Sequence, residues 1–442
     1  MPELQKQRSR FGRTTVPRTS SPGVPELQKQ RLRFGCRQRI VATGLAHAFH
    51  LRHRGDRRYT VASLILFTNL QRATMLRKIK IENFKCFKSL VFDLKAGDYA
   101  FNSEIVKNGL VNKALIYGAN GSGKTSLGVA IFDLVQHLTD NDFFHNRLID
   151  YYRNLNTQKE CVGFEYTFML NQQEVVYRYE KNSSRELLNE SLSIDGELLV
   201  DYDYGNEDRR FVSEKLRGSL TISLPDNRLS VLKYIYRNTP TGFHQTFSAM
   251  MRFCDAMLWF RSLSDGNDYC GLTKGSVSLE KWLFDSGKLK DFETYLSQYG
   301  LIYHLGFETD DGGPRLYAYF GRKREKARFS SIASAGTKVL WLLYLWRLEG
   351  KDRLSLLFID EFDAFYHFQT AEQVVRELNG QHDFQTILTT HNTYLMQNSL
   401  TRPDCCYLLT NNKIKSLKKS TEREIREAHN LEKMYINGAF VI

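Results

Sequence analysis

The chain has 442 residues, 42% of them hydrophobic and 25% charged, values typical of a folded globular protein rather than a disordered one. The formal net charge is +13, but residues 1–74 hold 15 Lys and Arg against 3 Asp and Glu, whereas residues 75–442 hold 47 basic and 46 acidic residues. The body of the chain is therefore electrically balanced, which argues against a protein that coats nucleic acid with a basic surface.

The cysteines and the apolar runs exclude two further classes. The seven cysteines are scattered and form no CxxC pair, which indicates neither a disulfide framework nor a zinc site. No apolar run reaches the 18 residues that a membrane span needs. We therefore expect a cytoplasmic protein without a membrane partner.

The N-terminal segment differs from the rest of the chain. Residues 2–12 and 25–35 are near-copies that differ only at Ser9 and Leu32, and Arg-rich sequence surrounds them. Three explanations stay open for residues 1–74: upstream DNA read in frame before a true start at Met75, a disordered basic tail, or an Arg-rich targeting peptide. We favour the first and exclude this segment from the fold prediction. From Met75 onward, alternating apolar residues predict a strand.

A phosphate-binding loop follows the predicted strand Lys113–Tyr117. Residues 118–125 read GANGSGKT, a full match to GxxxxGK[ST]. The glycines let backbone N–H groups point at phosphate oxygens, Lys124 supplies a positive charge for the β- and γ-phosphates, and the Thr125 hydroxyl is a ligand for Mg²⁺. Residues 124–138 predict the helix whose positive end faces the phosphates. We therefore predict ATP and Mg²⁺ as ligands.

A long segment separates this loop from the next motif. It predicts strands at Val162–Met169 and Glu174–Glu180, then helices at Phe247–Leu263 and Ser278–Tyr299. No sustained heptad repeat is present, so a long coiled coil is not expected. The segment is more than a minimal nucleotide-binding domain needs, and we interpret it as an insertion of strands and helices.

A second anion-binding helix end is predicted near Ser334. Ser334 and Gly336 precede the apolar run Val339–Trp346, and small hydroxyl and glycine residues at a helix start can bind an anion. An ordinary serine N-cap is the alternative interpretation. Because the phosphate-binding loop already serves one nucleotide, we predict that these two residues contact the nucleotide of another subunit.

Two further strands end in polar residues. The apolar run Leu354–Asp360 is followed by Glu361, and Phe384–His391 ends in a histidine. An acid at a strand end can hold Mg²⁺ and its neighbour can take a proton from the attacking water, so we assign Asp360 and Glu361 to these roles. Ligands of open α/β sheets bind at the carboxyl ends of strands, which places His391 near the γ-phosphate. A strand pair around residues 411–412 and a short helix are predicted to follow.

Four segments in this order resemble the ABC clan of P-loop ATPases: GANGSGKT (118–125), SSIASAGTK (330–338), LLFIDEFDAF (356–365) and TILTTHN (386–392). Within that clan the chain looks most like the bacterial stand-alone AAA-named group related to OLD-family proteins, RecF and SMC heads. The opening at 75–94 and the closing at 424–440 are also similar to this group.

The resemblance implies an α/β fold of the ABC type. That fold has a mixed central sheet, N-terminal antiparallel strands, and a helical and strand insertion between Walker A and the signature. The expected parts after residue 74 are the N-terminal ATPase half at 75–150, the insertion at 151–300, and the C-terminal ATPase half at 301–442. The implied assembly is an ATP-sandwich homodimer, with the signature at 334–337 acting on the nucleotide of the partner.

Particular residues follow from the motifs and the resemblance. The catalytic residues are predicted to be Glu361, His391 and Lys124, and the metal ligands Thr125 and Asp360. The resemblance places Asp363 at the D-loop and Lys85 near the nucleotide, and leaves the Q-loop open between Gln136, Gln158 and Gln172. The predicted nucleotide contacts are Gly118, Ala119, Asn120, Gly121, Ser122, Gly123, Lys124, Thr125, Ser126, Ser334 and Gly336.

The predicted function is that of an ATP-hydrolysing, nucleotide-gated dimer. We expect the ATPase subunit of a DNA-associated, anti-phage defence or genome-maintenance system, with a separate effector protein. The alternative is a non-hydrolysing ATP switch that sequesters or releases an effector such as a nuclease; the presence of Glu361 favours hydrolysis. DNA is a possible partner, and the basic clusters at Gly321–Arg328 and Lys413–Lys419 could contact its phosphates.

Overall fold

The computed structural model describes residues 74–141, 151–240, 244–261, 269–271, 278–310, 312–350, 353–410 and 412–442. The strands of this part of the chain are β1 Met75–Phe84, β2 Phe87–Asp93, β3 Val106–Lys107, β4 Leu110–Val111, β5 Lys113–Tyr117, β6 Val162–Leu170, β7 Gln173–Lys181, β8 Leu187–Ile194, β9 Glu197–Asp203, β10 Arg210–Val212, β11 Met257–Arg261, β12 Tyr269–Gly271, β13 Leu305–Asp310, β14 Gly313–Phe320, β15 Glu325–Arg328, β16 Leu356–Asp360, β17 Gln385–Thr390, β18 Cys406–Thr410 and β19 Lys413–Ser416. The α-helices are α1 Lys124–Leu138, α2 Glu214–Arg217, α3 Val231–Asn238, α4 Gln245–Asp255, α5 Leu279–Ser286, α6 Leu289–Gln298, α7 Phe329–Ile332, α8 Ala335–Glu349, α9 Phe368–Asn379 and α10 Leu431–Ile436.

A mixed central sheet carries the predicted motifs. Its strand order is β12-β11-β16-β17-β5-β18-β19. The five inner strands are parallel and the two edge strands are antiparallel to their neighbours. Every residue of β5, β16 and β17 is buried, as expected for parallel strands covered on both faces. The carboxyl ends of these three strands therefore meet at one edge, where ligands of such sheets bind.

A second, antiparallel sheet packs against the other side of α1. Its order is β10-β9-β8-β7-β6-β1-β2, so the N-terminal strands and the strands predicted at 162–180 belong to one sheet. The apolar face of α1 shares one hydrophobic core with both sheets, and the Phe132 ring lies against Trp259 and Phe358 of the central sheet. The helix that begins in the phosphate-binding loop is thus fixed on two sides.

The opposite face of the central sheet has its own core. It is formed by α8, α9, α5, α6 and the small antiparallel sheet β13-β14-β15. The middle of α8 is buried almost all round, which explains why its sequence is apolar rather than amphipathic. The described helices include none that is both long and apolar enough to cross a membrane.

Two helix predictions differ from the structure. The helix predicted over Phe247–Leu263 ends at Asp255, and Met257–Arg261 forms β11, parallel to β16. Residues 257–260 are buried in the central sheet, and a short apolar run in such a place has no period that separates a strand from a helix. The helix predicted over Ser278–Tyr299 is two helices, because Gly287 takes a left-handed conformation with φ +65° and ends α5.

The predicted domain division is only partly covered by the described residues. Residues 1–73 lie outside them, so the three explanations for the N-terminal segment stay predictions. The division into 75–150, 151–300 and 301–442 also stays a prediction. Strands β6 to β9 of the middle segment pair into one sheet with β1, and β11 of the same segment pairs with β16.

Candidate active site

The phosphate-binding loop has the backbone that its glycines permit. Gly121 and Gly123 have φ values of +78° and +103°, a region that residues with a Cβ rarely adopt. A Cβ on Gly123 would also lie 2.7 Å from the Cys86 sulfur, in the turn between β1 and β2. Burial raises the pKa of the Cys86 thiol, against the opposing effect of a hydrogen bond with Ser126. The β1–β2 turn therefore packs directly against the loop and supports it.

Lys124 lies at the base of this loop, as predicted. Its side chain is buried, and Nζ donates hydrogen bonds to the carbonyl oxygens of Gly118 at 2.8 Å and Ala119 at 3.2 Å. An ammonium group held against the loop supplies positive charge where the loop N–H groups gather around phosphate.

Three side chains join the loop to the ends of β16 and β17. The Thr125 hydroxyl donates to Asp360 Oδ2 at 2.6 Å, and the Thr389 hydroxyl donates to Asp360 Oδ1 at 2.6 Å. Asp360 is fully buried at the carboxyl end of β16. Hydroxyl and carboxylate oxygens are the ligands that Mg²⁺ prefers, so Thr125 and Asp360 fit the predicted metal site.

Glu361 follows in a strained conformation. Its φ is +49°, in the left-handed region that is unusual for a glutamate, and its backbone N–H donates to the Thr389 hydroxyl at 2.8 Å. Strain of this kind persists where the surroundings over-determine it, and it is concentrated at functional sites. The turn directs the chain away from β16 immediately after Asp360 and leaves Glu361 half-buried at the sheet edge.

Sequence reasoning named His391 but missed the two threonines before it. Thr389 joins Asp360 to Glu361, and the Thr390 hydroxyl donates to Asp363 Oδ2 at 2.8 Å. Burial raises the pKa of the Asp363 carboxyl, which the hydrogen bond from Thr390 partly offsets. His391 is exposed just beyond β17. The signal that could have identified the threonines is the polar pair at the end of a wholly buried apolar strand.

Ser334 and Gly336 lie at the start of α8. Ser334 Oγ accepts a hydrogen bond from the Thr337 N–H at 3.1 Å, so it is an N-cap, and its side chain is exposed. A Cβ on Gly336 would lie 2.7 Å from the Phe365 carbonyl oxygen, so the helix start packs on the loop after Glu361. Within the part of the chain that the structure describes, no hydrogen bond joins either residue to the phosphate-binding loop of the same chain.

The remaining predicted positions are spread around the site. The Lys85 N–H donates to the Tyr152 carbonyl at 3.1 Å, in the β1–β2 turn beside Gly123. Gln136 lies on α1, Gln158 in an exposed loop and Gln172 in the β6–β7 turn, and the Q-loop stays open among them. The sequence did not reveal that β11 also ends at this edge of the sheet. Its last residue, Arg261, is the register partner of Asp360 in the neighbouring strand β16.

An open cleft of about 520 Å³ borders the loop. It lies between the loop and the β18–β19 turn, and its lining residues are Ala119, Asn120, Gly121, Ser122, Leu409, Thr410, Asn412, Lys413 and Ile442. The outer side of the phosphate-binding loop is therefore accessible from solvent.

Comparison with solved structures gives distant matches. The SMC head domain from Thermotoga maritima is 15% identical with a TM-score of 0.39, covering 77% of this chain and 98% of that one. An SMC head bound to the C-terminal domain of ScpA, derived from Pyrococcus furiosus, is 13% identical with a TM-score of 0.40, covering 78% and 97%. The recombination mediator RecF with ATP is 12% identical with a TM-score of 0.33, covering 78% and 98%. No curated protein matches the sequence significantly.

A family model covers most of the described site. The family described as "AAA domain, putative AbiEii toxin, Type IV TA system" matches residues 113–397, which run from the start of β5 beyond His391. This range holds the phosphate-binding loop, the α8 start and both strands that end at the site. The chain belongs to this family and is an AAA-type P-loop ATPase, and its mixed central sheet and N-terminal antiparallel strands agree with the predicted α/β fold.

Proposed function

We propose that the protein hydrolyses ATP with Mg²⁺ and works as a nucleotide-gated dimer. The single observation that carries the proposal is the hydrogen-bonded series Thr125–Asp360–Thr389–Glu361 at the edge of the central sheet. The side chains of Thr125, Asp360 and Thr389 join the phosphate-binding loop to both predicted catalytic strands, and the backbone N–H of Glu361 completes the series. A P-loop used only to bind a nucleotide would not need a glutamate held in a strained turn beside the metal ligands.

Each residue has a distinct part in this chemistry. Mg²⁺, when bound, neutralises charge that develops on the transferred phosphate. Thr125 and Asp360 would hold this ion, and Lys124 and the loop N–H groups would bind the β- and γ-phosphates. Glu361 accepts the proton of the attacking water, and His391 contacts the γ-phosphate from the end of β17.

The position of the α8 start supports the proposed dimer. Ser334 is exposed and its hydroxyl caps its own helix, so the helix end is already ordered for an anion. We propose that Ser334 and Gly336 contact the γ-phosphate bound to the partner subunit. ATP then lies between two subunits, and its hydrolysis releases them.

A mixing experiment tests this arrangement. A Lys124→Ala protein and a Ser334→Arg protein should each be inactive alone. A mixed dimer has one site with an intact loop from one subunit and an intact Ser334 from the other. Hydrolysis should therefore reappear on mixing, at about a quarter of the wild-type rate, because random 1:1 pairing makes half of the dimers mixed and each of these has one intact site. A mixture no more active than its components would show that the signature does not act on the partner.

The biological role that we propose is defence. The description of the matched family names a putative toxin of a type IV toxin–antitoxin system. Such a role needs a second protein, which either regulates the ATPase or is regulated by it. Expression of the wild type and of Glu361→Gln should affect host growth differently if hydrolysis drives the effect. Equal effects would favour the alternative, a switch that needs ATP binding alone.

A further inference from the structure

Two consecutive threonines, Thr389 and Thr390, end strand β17 directly before His391. Both side chains are fully buried. Ile387 belongs to the core shared with α1 and Leu388 to the core on the opposite face of the central sheet. Because successive side chains of a strand point to opposite faces, Thr389 lies on the α1 face and Thr390 on the other. The end of β17 therefore presents a hydroxyl group to each side of the sheet, beside the site.

The Thr389 hydroxyl makes two hydrogen bonds at once. It donates to Asp360 Oδ1 at 2.6 Å and accepts from the Glu361 N–H at 2.8 Å. A hydroxyl has one donor proton and two acceptor lone pairs, so the two bonds are compatible. The Thr389 carbonyl oxygen also accepts from the Phe362 N–H, at 3.2 Å. One residue of β17 thus fixes three consecutive residues that follow or end β16.

The first of these bonds orients the Asp360 carboxylate. Its Oδ1 faces Thr389, and its Oδ2 accepts from the Thr125 hydroxyl at 2.6 Å. The two oxygens therefore have different neighbours, and only Oδ2 faces the other residue that fits the metal site. Groups that hydrogen-bond a metal ligand from behind fix its orientation and tune its affinity for the ion.

The other bonds hold the turn that carries Glu361. Glu361 has a φ of +49°, and a strained backbone of this kind persists only where its surroundings over-determine it. Thr389 accepts the N–H groups of this residue and the next, and the Thr390 hydroxyl donates to Asp363 Oδ2 at 2.8 Å. The turn is therefore shaped by the same strand that leads to His391.

We propose that Thr389 is a positioning residue for ATP hydrolysis. It keeps Asp360 Oδ2 turned toward Thr125, where the metal ion would bind, and it holds Glu361 in the turn that presents its carboxylate at the sheet edge. Thr389 acts through these two residues and does not contact the nucleotide. The inference rests on the proposed Mg²⁺-dependent hydrolysis and assigns a role in it to a residue outside the predicted catalytic and metal-binding set.

A purely structural role is the alternative interpretation. It predicts that loss of the hydroxyl lowers the stability of the protein but leaves metal binding and kcat of the folded protein unchanged. Thr386 offers a matched comparison, because it is buried on the same strand, about 10 Å from Thr389 along its length. Its hydroxyl accepts a hydrogen bond from Lys113 Nζ at 2.9 Å, remote from the metal ligands.

The test uses three variants of the full chain. Thr389→Val keeps the branched shape and removes the hydroxyl, Thr389→Ser keeps the hydroxyl, and Thr386→Val is the control. Electron paramagnetic resonance measures the affinity for Mn²⁺ with ADP, steady-state kinetics gives kcat and KM for ATP at saturating Mg²⁺, and urea unfolding gives the stability.

The expected pattern separates positioning from stability. Thr389→Val should lower the Mn²⁺ affinity and kcat each by about 10- to 100-fold, the range found for residues behind a metal ligand, with little change in KM. Thr389→Ser should restore most of both. Thr386→Val should lose stability and keep the Mn²⁺ affinity and kcat of wild type.

The remaining outcomes would each overturn a definite claim. Wild-type Mn²⁺ affinity and kcat in Thr389→Val, or equal losses in Thr389→Val and Thr386→Val, would leave Thr389 with a structural role only. Wild type that binds Mn²⁺ with ADP but hydrolyses no ATP would contradict the proposed function, while the Mn²⁺ affinities of the variants would still decide whether Thr389 orients Asp360. Wild type that binds no Mn²⁺ with ADP would contradict both.

Discussion

Two fully buried aspartates, one on α1 and one at the end of β16, show how differently the same group is used. Asp133, on α1 itself, accepts a hydrogen bond from Lys181 Nζ at 2.7 Å. Asp360, at the end of β16, accepts from the hydroxyls of Thr125 and Thr389. The Asp133 carboxylate therefore pairs with a lysine, whereas the two hydroxyl groups that donate to Asp360 are uncharged. Asp133 therefore serves the packing of α1 on the antiparallel sheet, whereas Asp360 lies where the phosphate-binding loop meets the ends of two strands.

The surroundings of Asp133 are polar but closed. The hydroxyls of Tyr152 and Tyr179 also donate to Asp133, at 2.6 and 2.8 Å. Next to it, His137 shares a hydrogen bond of 2.8 Å with the Tyr177 hydroxyl, and burial and the Lys181 charge hold the pKa of His137 well below its usual range. This region joins α1 to the antiparallel sheet, and we interpret it as structural.

The largest expected effect concerns hydrolysis at the sheet edge. Glu361→Gln should lower kcat for ATP hydrolysis by about 10²- to 10⁴-fold, because the general base is lost while the side-chain shape is kept. ATP affinity and the free energy of unfolding should change little. Glu372→Gln, at a half-buried position of α9 where the carboxylate pairs with Arg376, is the control. A Glu361→Gln protein with wild-type kcat would remove Glu361 from the mechanism.

A second change tests the closed region. Lys181→Met should lower the free energy of unfolding by about 3–5 kcal/mol, because it leaves the Asp133 carboxylate buried without its counter-charge. Adding Asp133→Asn removes that charge and should recover part of the loss. Urea unfolding of the single and double variants gives both values. If the single variant is as stable as wild type, the ion pair does not hold α1 to the antiparallel sheet.

A smaller effect is expected where α8 meets the loop after Glu361. Gly336→Ala should cost about 1–3 kcal/mol of unfolding free energy, because its Cβ would lie 2.7 Å from the Phe365 carbonyl oxygen. Gly380→Ala is the control, since its nearest contact is 3.4 Å and its φ is −72°. Thermal unfolding of the two variants should differ clearly, and equal melting temperatures would contradict the close packing described for Gly336.

The smallest expected effect is a pH dependence at the opposite end of β5. Burial lowers the pKa of Lys113 from 10.5 to about 7, while its Nζ donates to the Phe384 carbonyl at 2.8 Å. Between pH 7 and 10.5 the Lys113 side chain is protonated in the unfolded chain but not in the folded one, so the free energy of unfolding rises with pH in this range. Below about pH 7 both states hold the proton, and this increase is absent.

Comparison with Lys113→Met isolates this contribution. The unfolding free energy of wild type minus that of the variant should rise by about 1 kcal/mol per pH unit between about pH 7.5 and 9.5. Urea unfolding across this range measures it. A difference that stays constant, or falls, would mean that Lys113 keeps its proton in the folded protein.

The sequence was sufficient where local chemistry decides the structure. The predicted limits of α1 agree with the observed ones because a glycine turn begins the helix and apolar spacing continues it. The strand that ends in Asp360 and the strand that ends just before His391 were also predictable. Strand β11 was not, because four consecutive apolar residues fit a buried helix as well as a strand. The roles of Thr389 and Thr390 depend on which strands become neighbours, and that order is set by packing across the whole sheet.

The central claim is that ATP brings two chains together through Ser334. The most direct test is the mass in solution of the Glu361→Gln protein, measured by light scattering with and without Mg-ATP. We expect the mass to double with Mg-ATP and expect a second change, Ser334→Arg, to abolish the doubling. A mass that ATP does not change, or a doubling that survives Ser334→Arg, would contradict the nucleotide-gated dimer and leave Ser334 as a helix cap.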